Sequence, residues 1–299
     1  MTLILGMILD AMFGEPRWLW SRFPHPAVLI GRLIGWCDAT FNKGDHQRLM
    51  GILTVAELCI LAGAVGWAIH QIPGIILDVI ILAILLAQRS LVEHVQAVAD
   101  ALRLSLGDGR KSVAMIVGRD TRDMDAPSVA RSAIESAAEN LSDGVIAPVF
   151  WFAVAGLPGL FIYKVTNTAD SMIGYKTVQH EQFGWAAARL DDLLNLIPAR
   201  LTAILIWSVT SRTDLRKIMS EAPMHRSPNA GWPEAAMAYG LDIALSGPRS
   251  YAGEMRDYPF VNAEGDRMLT PDHIDQTINV LWRTWALALF VAAVFFIIS

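Results

Sequence analysis

Two long apolar stretches, Leu49 to Ile72 and Leu281 to Ile298, constrain this chain more than any other feature. A bilayer core about 30 Å thick takes roughly 20 apolar residues of helix to cross, and both runs are near that length. The first is interrupted only by Glu57 and His70. Composition agrees: 54% of the 299 residues are hydrophobic, 18% are charged and mean hydropathy is +0.39, too apolar and too charge-poor for an ordinary soluble fold. The expected class is an all-α, polytopic integral membrane protein.

Three further segments join these two. Ile75–Ala87 follows a Pro73-Gly74 turn and forms a hairpin with the first run. Gly144–Tyr163 and Leu193–Val209 complete a set of about five membrane-associated helices. Between them lie polar blocks at Gln88–Asp143, Lys164–Asp192 and Ser211–Asn279, which hold most of the Lys and Arg residues. Basic residues near membrane segments favour the cytoplasmic side, yet single crossings by the third and fourth segments would put the middle block on the opposite face. The turn signal Gly156-Leu157-Pro158-Gly159 resolves the conflict if Arg131–Ala155 enters as one long helix and Leu160–Tyr175 returns. Such short legs would be re-entrant or covered by protein.

The expected organisation is one membrane-embedded domain over 1–299, with a motif-bearing region at about 10–240, a variable loop or partly ordered excursion at about 248–272 and a C-terminal transmembrane helix at about 281–298. The N-terminal run Thr2–Leu9 lacks a basic flank and a cleavage site, and reads as retained structure. A net charge of −5 leaves no basic surplus for a nucleic-acid backbone. Cys37 and Cys59 have no zinc-like spacing.

The chemistry-bearing residues fall in short clusters. Glu135, Glu139 and Asp143 recur at spacing four, so a regular helix places them on one face. That is either a solvated acidic face or, next to a membrane segment where acids are costly, a Mg²⁺ site. Lys164 to Lys176 contains Asn167, Asp170 and Ser171 on one side of a helix, which suits interhelical hydrogen bonding or a site. Arg189, Asp191, Asp192, Asn195 and Arg200 follow. Asp191 and Asp192 read as helix-terminal acids or as oxygen donors to a divalent ion. In Ala222–Gly231, two prolines and a glycine impose a loop around His225, Arg226, Ser227 and Asn229, either a plain connector or a clamp for phosphate or carboxylate. Gly118-Arg119-Asp120-Thr121 and Pro24-His25-Pro26 are weaker signals. Phosphate-loop, dinucleotide-fold, zinc-protease and nucleophile-elbow motifs do not occur in the sequence.

Taken in order, these motifs resemble the CobD/CbiB family of adenosylcobinamide-phosphate synthases. The resemblance rests on Gly14-Glu15-Pro16, Pro24-His25-Pro26, Gly118–Thr121, Glu135–Asn140 with Asp143-Gly144, Asn167–Met172 with Gly174–Lys176, Ala188–Asp192 with Asn195 and Pro198–Arg200, and His225–Gly231. The family usually has Asp where Glu15 stands. The resemblance implies ATP- and Mg²⁺-dependent amide ligation in the cell inner membrane. Adenosylcobyric acid is joined to (R)-1-amino-2-propanol or its O-phosphate, with other corrinoid-pathway enzymes as candidate partners.

A carboxylate resists attack by an amine until one oxygen becomes a leaving group, most simply through phosphorylation by ATP. Metal and basic side chains must then neutralise the growing charge. On that chemistry Glu139, Asp143, Asp191 and Asp192, supported by Glu135, are the expected Mg²⁺ ligands. Lys164, Lys176, Arg189 and Arg226 would grip phosphate, with His25, Arg119, Asn167, Arg200, Ser227 and Asn229 lining the substrate or ATP site. His225 or Asp170 would take the amine proton. Rival readings are a membrane carrier for corrinoid precursors, with Glu57 and Asp78 along its path, and a non-catalytic assembly or sensor subunit. Lipid-diphosphate transferases are disfavoured by the absence of their acidic motifs.

Overall fold

The computed structural model describes residues 1–175, 177–210, 214–251 and 253–298. In chain order its helices are α1 (Thr2–Phe13), α2 (Arg17–Trp20), α3 (Pro26–Phe41), α4 (Gln47–His70), α5 (Ile76–Leu85), α6 (Gln88–Leu104), α7 (Leu106–Val113), α8 (Ala126–Leu141), α9 (Ala147–Ile173), α10 (Trp185–Leu194), α11 (Leu196–Thr210), α12 (Leu215–Glu221), α13 (Gly231–Leu241) and α14 (Pro271–Ile298). A π-helical turn, Ser142–Ile146, joins α8 to α9. The chain forms two compact units. One comprises Met1–Arg89 with Ala147–Leu196, the other Ser90–Ile146 with the chain from Ile197 onward.

Among the described residues, three helical stretches are long and apolar enough to cross a membrane: Gln47–His70, Ala126–Ile173 and Pro271–Ile298. Trp185–Leu194 and Leu196–Thr210 make a fourth if that broken pair counts as one. The expected fifth segment, Ile75–Ala87, is shorter than read: its helix runs ten residues before Leu86 turns extended.

The first unit is held together by α4 and α9. The expected fold-back is present, because helical geometry fails at Ala155 (φ −139°) and Gly156 (φ 61°). Only glycine adopts the second value without strain. A methyl group on Gly159 would come within 2.6 Å of the Trp151 carbonyl oxygen, although eight residues of continuous helix would separate them by about 12 Å. The chain therefore turns sharply back, and Ala126–Ile173 is not one straight helix. From Leu157 the returning leg runs antiparallel along α4. Leu157 lies beside Gly66, Ile162 beside Gly63, and Thr166 Oγ1 lies 3.7 Å from Cys59 Sγ. Seventeen residues of helix give this leg about 25 Å, short of a full crossing as expected for Leu160–Tyr175, and α4 covers it. Ile34, Cys37, Val55, Leu58, Val165, Ala169, Ile173 and Phe183 form the core that seals α3, α4, α9 and α10. Elsewhere in this unit Gly6 lets α1 seat directly on Leu82 of α5.

The second unit is built around α8, whose residues Val129 to Ala138 are buried except for half-buried Arg131. Alanine at 130, 133, 137 and 138 lets neighbouring elements approach this helix closely, and α7, α13 and α14 pack on it. The stretch 248–272 carries short strands, in keeping with a partly ordered excursion, and they correct a strictly all-α class. Strand β1 (Leu245–Ser246) pairs antiparallel with β4 (Phe260–Val261), and β2 (Arg249–Tyr251) pairs with β3 (Glu254–Arg256). Gly253 at φ 80° makes the tight β2–β3 turn, and Val261 and Leu269 are buried.

Candidate active site

In the first unit the polar side chains of α9 and α10 form a hydrogen-bonded chain. Tyr163 Oη donates to Asn195 Oδ1 (3.1 Å), Asn195 Nδ2 donates to Asp191 Oδ2 (3.0 Å), and Asn167 Nδ2 donates to Asp191 Oδ1 (3.2 Å). Each Asp191 oxygen thus accepts one of these N–H groups. Both aspartates lie in the last turns of α10, the unfavourable end of the helix dipole for an anion, so the reading as stabilising helix-terminal acids does not hold. Asp192 approaches Arg189 (3.5 Å), whose side chain is 61% exposed, a pair worth little by itself. Asp170 sits against the Cα of Gly174, where a side chain would collide with its carboxylate.

Lys164 and Asp170 are half-buried on the same helix. His25 is the N-cap of α3: its Nδ1 accepts from Ala27 N–H (3.2 Å), so Nε2 carries the proton. Nε2 is buried and has no hydrogen-bond partner among the described residues. Burial holds the imidazole below its ordinary pKa, with Glu15 opposing and Lys164 reinforcing the shift. Lys176 lies outside the described residues.

In the second unit Glu135 is the anchor. It is 3% exposed; its Oε2 accepts from Arg119 Nη2 (2.5 Å) with Arg249 Nη1 at 3.5 Å, and its Oε1 accepts the Ser246 N–H (2.6 Å). Arg249 also donates to Ser246 Oγ (2.7 Å). With both oxygens engaged, Glu135 serves as the counter-ion of two arginines, which leaves it poorly suited to hold a metal. Glu139, one turn on, is exposed and has Arg226, Arg119 and Arg249 as charged neighbours. Asp143 follows inside the π-helical turn, whose extra residue breaks the i, i+4 register, so the expected single acidic face ends at Glu139.

The His225–Gly231 loop holds itself in shape. Ser227 N–H donates to His225 Nδ1 (3.1 Å), Ser227 Oγ accepts from the Asn229 and Ala230 N–H groups (3.2 Å each), and Arg200 donates to Asn229 Oδ1 (3.1 Å) while stacking 4.6 Å from the Trp232 ring. Gly231 is required because a Cβ would meet His225 Cβ at 2.6 Å. His225 Nε2 faces Glu234 Oε2 at 3.7 Å. That separation suggests an ion pair, but burial argues otherwise. It pushes the imidazole down to about 4, helped by Arg249, and raises the Glu234 carboxyl well above its usual range, helped by Glu135. The imidazole is therefore neutral at pH 7, and burial disfavours the ionised form of the Glu234 carboxyl beside it.

Sequence reasoning missed Arg249 and Glu234. Arg249 lay in a stretch read as loop, and Glu234 looks like an ordinary first-turn acid of α13. Among the described residues no three His, Cys, Asp or Glu side chains gather into a metal cluster.

A sequence model of the family described as CobD/Cbib protein matches residues 3–281. The chain belongs to the CobD/CbiB family. Membership reaches well beyond the region 10–240 marked by the motifs, into the C-terminal helix. Among similar CobD/CbiB proteins, one from Brucella suis is 48% identical over 305 residues, covering 96% of this chain and 93% of its own. One from Sinorhizobium is 44% identical over 301 residues (94% and 93%), and one from Rhodobacter capsulatus is 45% identical over 269 residues (87% and 86%). All three are named Cobalamin biosynthesis protein CobD. No solved structure matches the chain.

Proposed function

We propose that this protein acts in cobalamin biosynthesis as an ATP-dependent ligase. It would join (R)-1-amino-2-propanol or its O-phosphate to the propionate carboxylate of adenosylcobyric acid. The observation that carries the reading is nearly full-length identity of 42–48% to proteins named for cobalamin biosynthesis. Two features fit the chemistry, each within its own unit: the arginines around buried Glu135, and the acidic pair Asp191 and Asp192.

Magnesium usually takes one or two carboxylates and completes its shell with water and substrate phosphate. Asp191 and Asp192 meet that requirement without a third protein ligand, so they would hold the ion. A bound magnesium nucleotide would supply the phosphoryl group that turns a carboxylate oxygen into a leaving group. Arg119 and Arg249, prepositioned by Glu135, and exposed Arg226 supply positive charge for an anionic substrate or leaving group. Prepositioning matters because donors that need no rearrangement stabilise developing charge at least cost.

His225 is a poor proton acceptor. Its Nδ1 already accepts the Ser227 N–H, and burial disfavours the imidazolium. The amine proton is therefore assigned to Asp170, with His225 presenting its Nε2–H as a donor. The fold-back at Gly156 supports polar blocks 88–143 and 164–192 lying on one membrane face. The basic residues make that face the cytoplasmic side of the inner membrane, where other corrinoid-pathway enzymes could dock.

Asp191→Ala and Asp192→Ala should each abolish ATP-dependent ligation by purified protein in detergent while leaving membrane insertion intact. Full activity in both variants would remove the assignment. Product formation without a sealed compartment also separates a ligase from a carrier. In support of the ligase, Asp78 is 6% exposed and bonded to His70 (2.6 Å), and so is already engaged by a partner side chain.

A further inference from the structure

A cavity of about 460 Å³ opens where α4 begins, lined by Asp45, His46, Arg48, Leu49, Ile52 and Gln182 among others. None of these residues belongs to the ligation site. Arg48 lies 4.0 Å over the Trp185 ring, and among the described residues it makes no hydrogen bond or ion pair. Its N–H groups therefore remain available at the ring's edge. Asp45 and His46 are exposed, as are Leu49 (55%) and Ile52 (40%).

Depth fixes what fills such a cavity. The 24 residues of α4 extend about 36 Å, longer than a hydrocarbon core of about 30 Å. If α4 crosses, its first turn stands among lipid headgroups, and Trp185 is the kind of residue that sits there. The lining is mostly apolar surface that carries one cation, Arg48, and one anion, Asp45. Leu49 and Ile52 then lead down the helix toward the acyl region.

We propose that this cavity binds a phospholipid whose headgroup carries both a phosphate and a primary ammonium. Arg48 and His46 take the phosphate, Asp45 takes the ammonium, and Leu49 and Ile52 receive the first methylenes of an acyl chain. The opposite charges of Arg48 and Asp45 match a zwitterion better than an anionic headgroup.

The test is lipid retention by the full chain, measured by native mass spectrometry from mixed micelles. The probes are phosphatidylethanolamine, phosphatidylcholine and phosphatidylglycerol, with free O-phosphoethanolamine as competitor. Phosphatidylethanolamine should be retained best. Arg48→Gln should lower retention of both phosphatidylethanolamine and phosphatidylglycerol by roughly tenfold, the worth of one charge-assisted contact. Asp45→Asn should weaken phosphatidylethanolamine alone. That second variant keeps the test decisive if loss of the Trp185 stack unfolds the first. Equal retention of all three lipids, no effect of either substitution, or binding of O-phosphoethanolamine without the lipid would each overturn the assignment.

Discussion

Glu135 and its two arginines show how one buried carboxylate can organise a site. Taking three charges out of water costs several kcal/mol per ion, recovered only while the partners stay in place. Arg119→Ala leaves Glu135 with a single guanidinium at 3.5 Å. Breaking a buried pair in this way should cost about 3 kcal/mol or more, read as a lowered denaturant midpoint in detergent. His225 and Glu234 yield a prediction with opposite signs. Below about pH 6.5 the unfolded chain protonates His225 while the fold resists until about 4. Stability should therefore fall as pH drops through that window, by an amount on the order of 3 kcal/mol from this group. His225→Asn should flatten the acid side. Glu234 behaves inversely: above about 4.5 the unfolded chain releases a proton that the fold retains. Its contribution thus declines as pH rises, and Glu234→Gln should flatten that limb. Only part of this was legible. Residue types announced Arg119, Glu135 and His225, but nothing local to Arg249 says that it meets a carboxylate 114 positions earlier.

At the scale of elements, glycine decides where helices touch. A methyl group on Gly66 would lie 2.8 Å from the backbone of Leu157 and from Pro158 N. Backbone cannot rotate aside as a side chain can, so Gly66→Ala should force α4 off the returning leg and cost about 1–3 kcal/mol, measurable as a lower thermal midpoint. The Gly156-Leu157-Pro158-Gly159 signal predicted the turn correctly because its two glycines and its proline each punctuate a helix. The returning helix begins a little earlier than Leu160 because Pro158 sits in its first turn, where a missing N–H does no harm. The π-helical turn at Ser142–Ile146 left no comparable mark. A spacing of four promises one face only while the helix stays regular, and Asp143 falls where it does not. The strands of 249–261 were likewise invisible, each too short to show an alternating pattern.

For the whole molecule, hydropathy located the helices that are long and apolar enough to cross a membrane, whereas the division into two compact units, each assembled from separated segments, left no compositional mark. Topology remains directly testable. Single cysteines at Gln179 and at Thr121, in a background lacking Cys37 and Cys59, should both react with an impermeant thiol reagent from the cytoplasmic side. Reaction of the Gln179 site from the periplasm alone would rule out the shared face. The fold-back also bears on how the protein is made. The Trp151 indole N–H donates to the Leu194 carbonyl oxygen (3.1 Å), and the leg after Gly156 lies against α4. When Gly156 is joined to the growing chain, Leu194, whose carbonyl will accept from Trp151, has not been synthesised. The first leg must wait some forty residues for its own hydrogen-bond acceptor to be translated. Insertion of this hairpin is thus a late, paired event in the life of the nascent chain.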